Sequence, residues 1–214
     1  MRRLRCWLVV AALPVLLTAC VGRMIKPPPP AGAASAPALG GFTALVFPVQ
    51  DGVIPSADST ARHWPAERAT IDAEIAYWLP QGAPRTHWVL PEAMDKALAR
   101  SPGLDVDLRN LAVGVFQHAQ VKRIGDPLFG DIRKLAAVLN ANLAVVPIGA
   151  EYVGATRESA KLQIAVAVIK MDADVAWFGV IEGADSGVAA PAATASAAQA
   201  FARAFAEKKK PGDS

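Results

Sequence analysis

Histidine is the residue type in this 214-residue chain that first invites a search for acid–base or metal chemistry. Its three copies, His63, His87 and His118, lie far apart, and none belongs to an HExxH motif or another ligand spacing. A zinc site needs about four donors in a fixed arrangement, and proton transfer needs a placed partner. We therefore expect no metal and no cofactor. We interpret His87 as a buried, hydrogen-bonded residue beside a strand, and the other two as surface residues.

Two groups of acidic residues could suggest binding or catalysis. The segment 123–131 is dense in glycine and aspartate, but its aspartates would place negative charge where a phosphate should sit. A pair of glycosidase-like carboxylates can be drawn from Asp172, Asp174 and Glu182, yet hairpin turns favour aspartate on conformational grounds alone. The sequence thus predicts that segment 123–131 is a loop with a helix N-cap near Asp126, and that the later carboxylates belong to a hairpin turn. It predicts no catalytic residues.

The first twenty residues have the features of an export signal. Three arginines form a cationic start, and the apolar run at 7–17 is well short of the ~20 residues that cross a bilayer. Residues 1–19 are therefore predicted to be a cleaved signal peptide rather than a transmembrane helix.

The end of this signal, Leu17, Thr18, Ala19 and Cys20, resembles the lipobox of bacterial lipoproteins. The resemblance implies that a signal peptidase recognises Leu17, Thr18 and Ala19, and that the lipidated Cys20 attaches the chain to a membrane. An ordinary cleaved signal with an unmodified Cys20 is the alternative. Val21, rather than aspartate, follows the cysteine, which by the same resemblance implies the outer membrane, facing the periplasm, if the source organism has one.

Cleavage before Cys20 would change both the cysteine count and the net charge. Cys6 would be removed with the signal, so the mature chain would have no intramolecular disulfide and would depend on its core alone. The formal net charge of +3 would fall to zero with the loss of Arg2, Arg3 and Arg5, because the signal has no acidic residue. A neutral mature chain gives no support for a nucleic-acid surface, and this class of partner is excluded.

Composition divides the mature chain into a tether, one folded domain and a short tail. Residues 20–41 include four successive prolines at 27–30, which favours an extended spacer over a proline-recognition ligand. Residues 42–207 are enough for a single periplasmic domain, and 208–214 form a polar tail. The lysines at 208–210 could touch anionic lipid, although a solvated helix end is the simpler interpretation.

Apolar periodicity within residues 42–207 predicts a mixed α/β fold. Helices are expected around 71–79, 91–100, 108–115 and 128–139, with an Ala-rich helix at the C-terminal end. Strands are expected at 42–49, 87–90, 143–148, 161–170 and 175–182, and the last two form a hairpin. The predicted fold is a mixed central sheet flanked by helices, in either two or three layers.

Tryptophans are candidate contact residues because they make good anchors when exposed. Trp78 and Trp88 lie in periodic apolar runs and are predicted to be core residues. Trp64, between His63 and Pro65 in a polar loop, is the candidate for a partner contact, with a side chain folded over the core as the alternative.

The layout resembles the small α/β domain shared by the curli-secretion-channel lipoprotein, the N-terminal domain of the periplasmic Tol translocation protein, and lipoprotein activators of cell-wall synthases. The resemblance covers most of residues 42–207, except the stretch from 106 to 119 and the loop around Trp64. The residues that carry it are an opening strand ending in Phe-Pro, a helix end before a strand, and a late hairpin with an acidic turn: Leu45, Val46, Phe47, Pro48; Leu139, Asn140, Ala141, Asn142, Leu143; Asp172, Asp174, Trp177.

Together these features predict a non-enzymatic, lipid-anchored accessory protein that acts by binding another envelope component, for which an envelope protein is a candidate. An envelope hydrolase is one alternative, and a subunit of an oligomeric secretion assembly is the other. The oligomeric state does not follow from the sequence.

Overall fold

The helices and strands were located in a computed structural model. It describes residues 35–53, 64–117, 121–154, 156, 158–188 and 191–206. Within these ranges the elements follow in the order β1 (Thr43–Val46), β2 (Asp51–Val53), α1 (Trp64–Gly82), β3 (His87–Val89), α2 (Pro91–Arg100), α3 (Leu128–Leu139), β4 (Leu143–Gly154), β5 (Ala160–Lys170), β6 (Val175–Glu182) and α4 (Pro191–Ala204).

The strands form one mixed sheet in the order β3-β1-β4-β5-β6. Strand β1 pairs in parallel with β3 and with β4, and β2 pairs in parallel with β4 further along. Strands β4, β5 and β6 are antiparallel neighbours. The chain from β1 to β2 therefore runs along one side of β4, with a break at 47–50.

Helices cover both faces of the sheet, as the alternation of buried residues in β1 requires. Ala44 and Val46 contact the core beneath α1 and α4, whereas Leu45 contacts the core beneath α2 and α3. Strands buried on both faces are apolar throughout, which explains the continuous apolar run at 44–47. The predicted mixed α/β fold is confirmed, and of the two alternatives the structure has three layers.

Helices α1 and α4 lie close together because small residues separate them. A Cβ atom on Gly82 would come 2.7 Å from the Cβ of Ala202 in α4. The sheet-facing side of α1 is Ile71, Ile75 and Leu79, as the spacing predicted. The sequence also predicted that Asn140 ends α3, and it does so in the left-handed conformation, with φ of 50°.

A β-bulge at Pro147–Gly149 changes which residues of β4 face which layer. Before it, Val145 faces α1 and α4 while Val146 and Ile148 face α2 and α3. After it, Ala150 and Tyr152 face α1 and α4. One extra residue thus reverses which side chains of the strand face α1 and α4 and which face α2 and α3.

The predicted helix at 108–115 is wrong. Leu108 and Leu111 are buried as expected, but the segment consists of turns followed by a 3-10 helix at Val113–Gln117. The backbone of this segment is hydrogen-bonded to the side chain of Gln50, which satisfies its Leu108 carbonyl and Leu111 amide without helical geometry.

Other element boundaries also differ from the sequence prediction. Strand β4 continues to Gly154, and the short β2 follows β1 where only a loop was predicted. Leu39 is 2% exposed and packs in the core, so the core includes part of the segment assigned to the tether. In the described ranges, no helix is both long enough and apolar enough to cross a membrane.

Candidate functional site

A polar cluster lies where β1 ends and α1 begins. It joins the 47–50 segment, the first turns of α1, the 107–111 segment and the outer part of β4. In open α/β sheets, ligands bind outside the carboxyl ends of the parallel strands, so this edge is where a site is first sought. We call these residues the Asp72 cluster: Gln50, Glu67, Arg68, Asp72, Asp95, Asp107, Arg109 and Tyr152.

Gln50 is the buried centre of the cluster. Its side-chain Nε2 donates to the carbonyl oxygens of Pro48 (2.6 Å) and Leu108 (2.9 Å), and its Oε1 accepts from the Leu111 amide (2.8 Å). Both amide protons and the oxygen are therefore used within the protein. The side chain fixes the 104–112 segment to the end of β1 and is not available to a ligand.

Asp72 is a mostly buried carboxyl group on α1. Its Oδ1 accepts a hydrogen bond from the Val49 amide at 2.8 Å. Desolvation raises its pKa from 3.8 to about 6, although the Val49 amide and the charges of Arg68 and Arg109 act in the opposite direction. Burial therefore outweighs the favourable contacts, and the group titrates in a range accessible to cells.

Two arginines form the outer part of the cluster. The Nη1 atom of Arg68 lies 3.4 Å from the Arg109 carbonyl oxygen, and Nη2 of Arg109 lies 3.3 Å from Oδ2 of Asp95. The Asp107 carboxylate accepts from the Arg109 amide at 2.9 Å. Asp95, Asp107 and Arg109 are exposed, so this part of the cluster presents charges of both signs to solvent.

A further hydrogen bond ties α1 to β4. The phenol of Tyr152, 6% exposed as a residue, donates to Oε1 of Glu67 at 2.5 Å. A hydrogen bond to a carboxylate is charge-assisted, and such a bond is stronger than one between neutral groups. It fixes the first turn of α1 against the outer end of the sheet.

The contacts of the cluster are suited to holding loops and offering a charged surface. The Asp72 carboxyl has a backbone amide as its partner and has no nucleophile next to it in the contacts above. In the described parts of the chain, no three His, Cys, Asp or Glu side chains come together as a metal site would require. The chemistry that this geometry offers is recognition of a polar partner by Arg109, Asp95 and Asp107.

The sequence-predicted lipidation site lies outside the described residues, as do His63 and His118. Leu17, Thr18, Ala19 and Cys20 all precede residue 35. Trp64, the predicted partner contact, is the first residue of α1 and does not lie in a loop. Its role as a contact stays a prediction.

Two of the remaining sequence interpretations need correction. His87 is exposed in the edge strand β3, and only its neighbours along the strand turn inward, so it is not a buried residue. Asp126 does not cap α3: Pro127 holds the N-cap position without a side-chain hydrogen bond, while the Asp126 carboxylate lies beside Gly130.

The tryptophans predicted to be core residues are only partly buried. Both pack against the core, and their indole N–H groups bond to Glu74 for Trp78 and to the Ala83 carbonyl for Trp88. They therefore lie at the margin of the core, where a polar atom can keep its partner.

The late carboxylates are divided between two places. Asp172 and Asp174 lie in the β5–β6 turn with Lys170 and Arg123, as turn chemistry predicted. Glu182 lies at the other end of β6, bonded to Gln163. The three carboxylates are therefore not brought together.

Two clefts lie at the opposite end of the domain from the Asp72 cluster. One, of about 180 Å³, is lined by Gly40, Arg85, Thr86, Phe205 and others where α1 and α4 end. The other, of about 220 Å³, lies between the same helices, next to Trp78 and Arg203. Both are open and smaller than the pockets of ~300 Å³ or more that enclose most ligands.

Sequence reasoning did not find Gln50 or Asp72. The available signal was a polar residue directly after a buried strand, and a carboxylate placed between Ile71 and Ile75 at the border of an apolar helix face. Neither pattern identifies the partners that join separate segments, because Val49 is 23 residues from Asp72, and Leu108 and Leu111 are 58 and 61 residues from Gln50.

No family model matches the chain, and no curated protein matches it. Among solved structures, the PelC dodecamer from Paraburkholderia phytofirmans is similar with a TM-score of 0.39 and 12% identity, over 81% of this chain and 95% of that one. A point variant of the same PelC dodecamer gives a TM-score of 0.38 and 13% identity, over 80% and 93% of the two chains. Likeness at this level assigns the chain to no family.

Proposed function

We propose that this protein is a lipid-anchored, non-enzymatic accessory protein of the cell envelope that works by binding another envelope protein. The observation that carries the proposal is the motif Leu17-Thr18-Ala19-Cys20 behind a cationic and apolar signal. A protein held on a membrane by a tether acts on what lies within reach of that tether, so a binding role suits the arrangement.

The surface proposed for the partner is the outer part of the Asp72 cluster. Asp95, Asp107 and Arg109 are exposed and are held in place by hydrogen bonds to one another. Pre-positioned charges favour specific recognition, because the partner does not have to order them on binding. The buried Gln50 and Asp72 hold the backbone beneath this surface.

The proposed location is the periplasmic face of the outer membrane. The support is Val21 directly after Cys20, where retention at the inner membrane would call for aspartate. Four prolines at 27–30 favour an extended tether at ~3.1 Å per residue, which gives the domain freedom to meet a partner some distance from the lipid.

Intact-mass measurement of the native protein beside a Cys20→Ala variant tests the anchor. The expected result is a wild-type chain that begins at residue 20, carries a lipid-sized mass increment and fractionates with membranes. The variant should lack the increment and appear in the soluble fraction. An unmodified, soluble wild-type protein would contradict the proposal.

Co-purification from solubilised membranes tests the binding role. The wild type should bring down a stoichiometric envelope protein, and an Asp107→Asn/Arg109→Gln double variant should lose most of it. Lys134→Gln, on the exposed side of α3, is the control and should retain the partner. Retention by the double variant would refute the proposed surface, and turnover of cell-wall or lipid substrates would favour the hydrolase alternative.

A further inference from the structure

The cleft of about 220 Å³ between α1 and α4 is lined by matching positions of the two helices. Each helix contributes residues at positions i, i+3 and i+4, which lie on one face of a helix. We call it the α1–α4 cleft, and its residues are Trp78, Gln81 and Gly82 from α1, and Gln199, Ala202 and Arg203 from α4. The helices come close together at Gly82 and Ala202, so the longer side chains bound the cleft.

Two polar side chains of the α1–α4 cleft are available to a ligand. Arg203 is exposed in the last turn of α4, and Gln199 precedes it by one helical turn, so the two side chains are neighbours. Within the described ranges, neither the guanidinium of Arg203 nor the amide of Gln199 takes part in a hydrogen bond or an ion pair. The α4 side of the cleft therefore offers a cation and an amide group to a ligand.

Hydrogen bonds within α1 hold the other side of the cleft in place. The Trp78 indole Nε1 donates to Oε2 of Glu74 at 3.1 Å, and Nε2 of Gln81 donates to the Tyr77 carbonyl at 2.9 Å. Gln81 keeps its Oε1 as an acceptor, and the half-buried indole offers an apolar surface. Groups that are already ordered lose little entropy when a ligand binds.

The groups of the cleft match the end of a polypeptide chain. A guanidinium binds a carboxylate through two parallel hydrogen bonds. In a C-terminal residue, one carbon atom carries the carboxylate, a peptide N–H and the side chain, so the residue offers a partner to Arg203, to the Gln81 oxygen and to the Trp78 indole. A volume of about 220 Å³ suits one such residue, since the pockets of larger ligands begin at ~300 Å³. An inorganic anion would leave the indole without a partner.

We infer that the α1–α4 cleft binds the C-terminal residue of another polypeptide. Arg203 binds its carboxylate, and the Trp78 indole contacts its apolar side chain. The amide groups of Gln81 and Gln199 bind the last peptide group. The inference goes beyond the proposed function, because it assigns a second surface and a class of ligand. It depends neither on the lipid anchor nor on the surface proposed for the envelope partner.

Fluorescence anisotropy of N-terminally labelled tripeptides, titrated with the purified native protein, tests the cleft. Ala-Ala-Leu with a free carboxylate should show saturable binding. The same peptide with a C-terminal amide should bind at least about tenfold more weakly, because it lacks the charge that Arg203 meets. Ala-Ala-Gly with a free carboxylate should bind roughly three- to tenfold more weakly than Ala-Ala-Leu, since it brings no apolar side chain to the indole.

Single substitutions connect this binding to the cleft. Arg203→Gln should weaken binding of the free-carboxylate peptide at least about tenfold and remove its preference over the amide. Gln199→Ala should weaken binding by roughly threefold, and alanine suits the Ala-rich α4, so the fold is kept. Arg100→Gln is the matched control, because it removes an exposed arginine from the last turn of α2. It should leave binding within about twofold of wild type.

Several outcomes would overturn the inference. The first is equal affinity of the native protein for the free and the amidated peptide, and the second is an equal loss of binding in Arg203→Gln and Arg100→Gln. Tighter binding of glucuronic acid or inorganic phosphate than of the peptide would also overturn it, and would assign the cleft to a sugar acid or to a free anion. The Asp107→Asn/Arg109→Gln variant should bind the peptide like wild type, so this inference and the proposed partner surface fail separately.

Discussion

Replacing Asp72 with asparagine should stabilise the protein at neutral pH. Burial raises the pKa of this carboxyl group from 3.8 to about 6, so the folded state binds its proton more tightly than the unfolded chain does. The contribution of proton binding by Asp72 to the free energy of unfolding is fully present below about pH 3.8 and is lost as the pH rises through about 6. At neutral pH the buried charge therefore weakens folding.

The size of the effect follows from the pKa change. At ~1.4 kcal/mol for each tenfold change in proton affinity, the rise from 3.8 to about 6 corresponds to about 3 kcal/mol. Solvent reaches one side of the group, so we take about 2 kcal/mol as the working value. Asparagine keeps an oxygen that can accept from the Val49 amide, and it removes the charge.

Urea denaturation of both proteins at several pH values between about 3.5 and 8 measures the difference. The stability of Asp72→Asn relative to wild type should grow by about 2 kcal/mol across this range, or about 4–8 °C in Tm for a domain of this size. Asp95→Asn is the control, since it removes only an exposed ion pair worth less than about 1 kcal/mol. A difference that does not vary with pH would refute the reasoning. A less stable Asp72→Asn at neutral pH would show that attraction to Arg68 and Arg109 exceeds the cost of burial.

Three further substitutions test how the fold is held. Gln50→Ala should lower the free energy of unfolding by about 2–4 kcal/mol in urea, because it leaves buried backbone groups unpaired. Gly82→Ala should cost about 1–3 kcal/mol, since its Cβ would lie 2.7 Å from that of Ala202, whereas Gly103→Ala meets nothing within 4 Å and should show no comparable loss. Ala173→Gly should raise the free energy of unfolding by up to about 1 kcal/mol, and Tm with it. The reason is that residue 173 has a φ of 73°, which glycine adopts without the strain of a Cβ atom. An unchanged or lower Tm would show that the turn tolerates alanine without cost.

The elements that the sequence predicted well are those specified by neighbouring residues. The spacing of Leu128, Ile132 and Leu135 defines the buried face of α3, and Pro91 starts α2 where predicted. The β5–β6 hairpin follows from two apolar runs around an acidic turn. In each case the signal lies within about a dozen residues, which is the range over which periodicity and turn chemistry act.

The features that were missed depend on contacts between distant parts of the chain. The segment 108–115 has helical spacing, but the Gln50 side chain, 58 residues before Leu108, holds its first residues in another conformation. Asp72 becomes unusual only when the 47–50 segment folds over it. His87 was expected to be buried because β3 is apolar around it, yet β3 lies at the edge of the sheet, where one face of a strand end can meet solvent.

The bulge in β4 shifts the alternation of its side chains by one residue. Pro147 pairs with Val166 and Gly149 with Ala165, so Ile148 is the extra residue between them. If side chains alternated regularly between the two faces of the sheet from Val145 onward, Tyr152 would point toward α2 and α3, away from Glu67. The bond that ties α1 to the outer sheet therefore exists because the phase slips by one residue. A chain that lost Ile148 would keep Tyr152 on the α1 side by restoring regular pairing, whereas an insertion of one residue after the bulge would disconnect the tyrosine from Glu67.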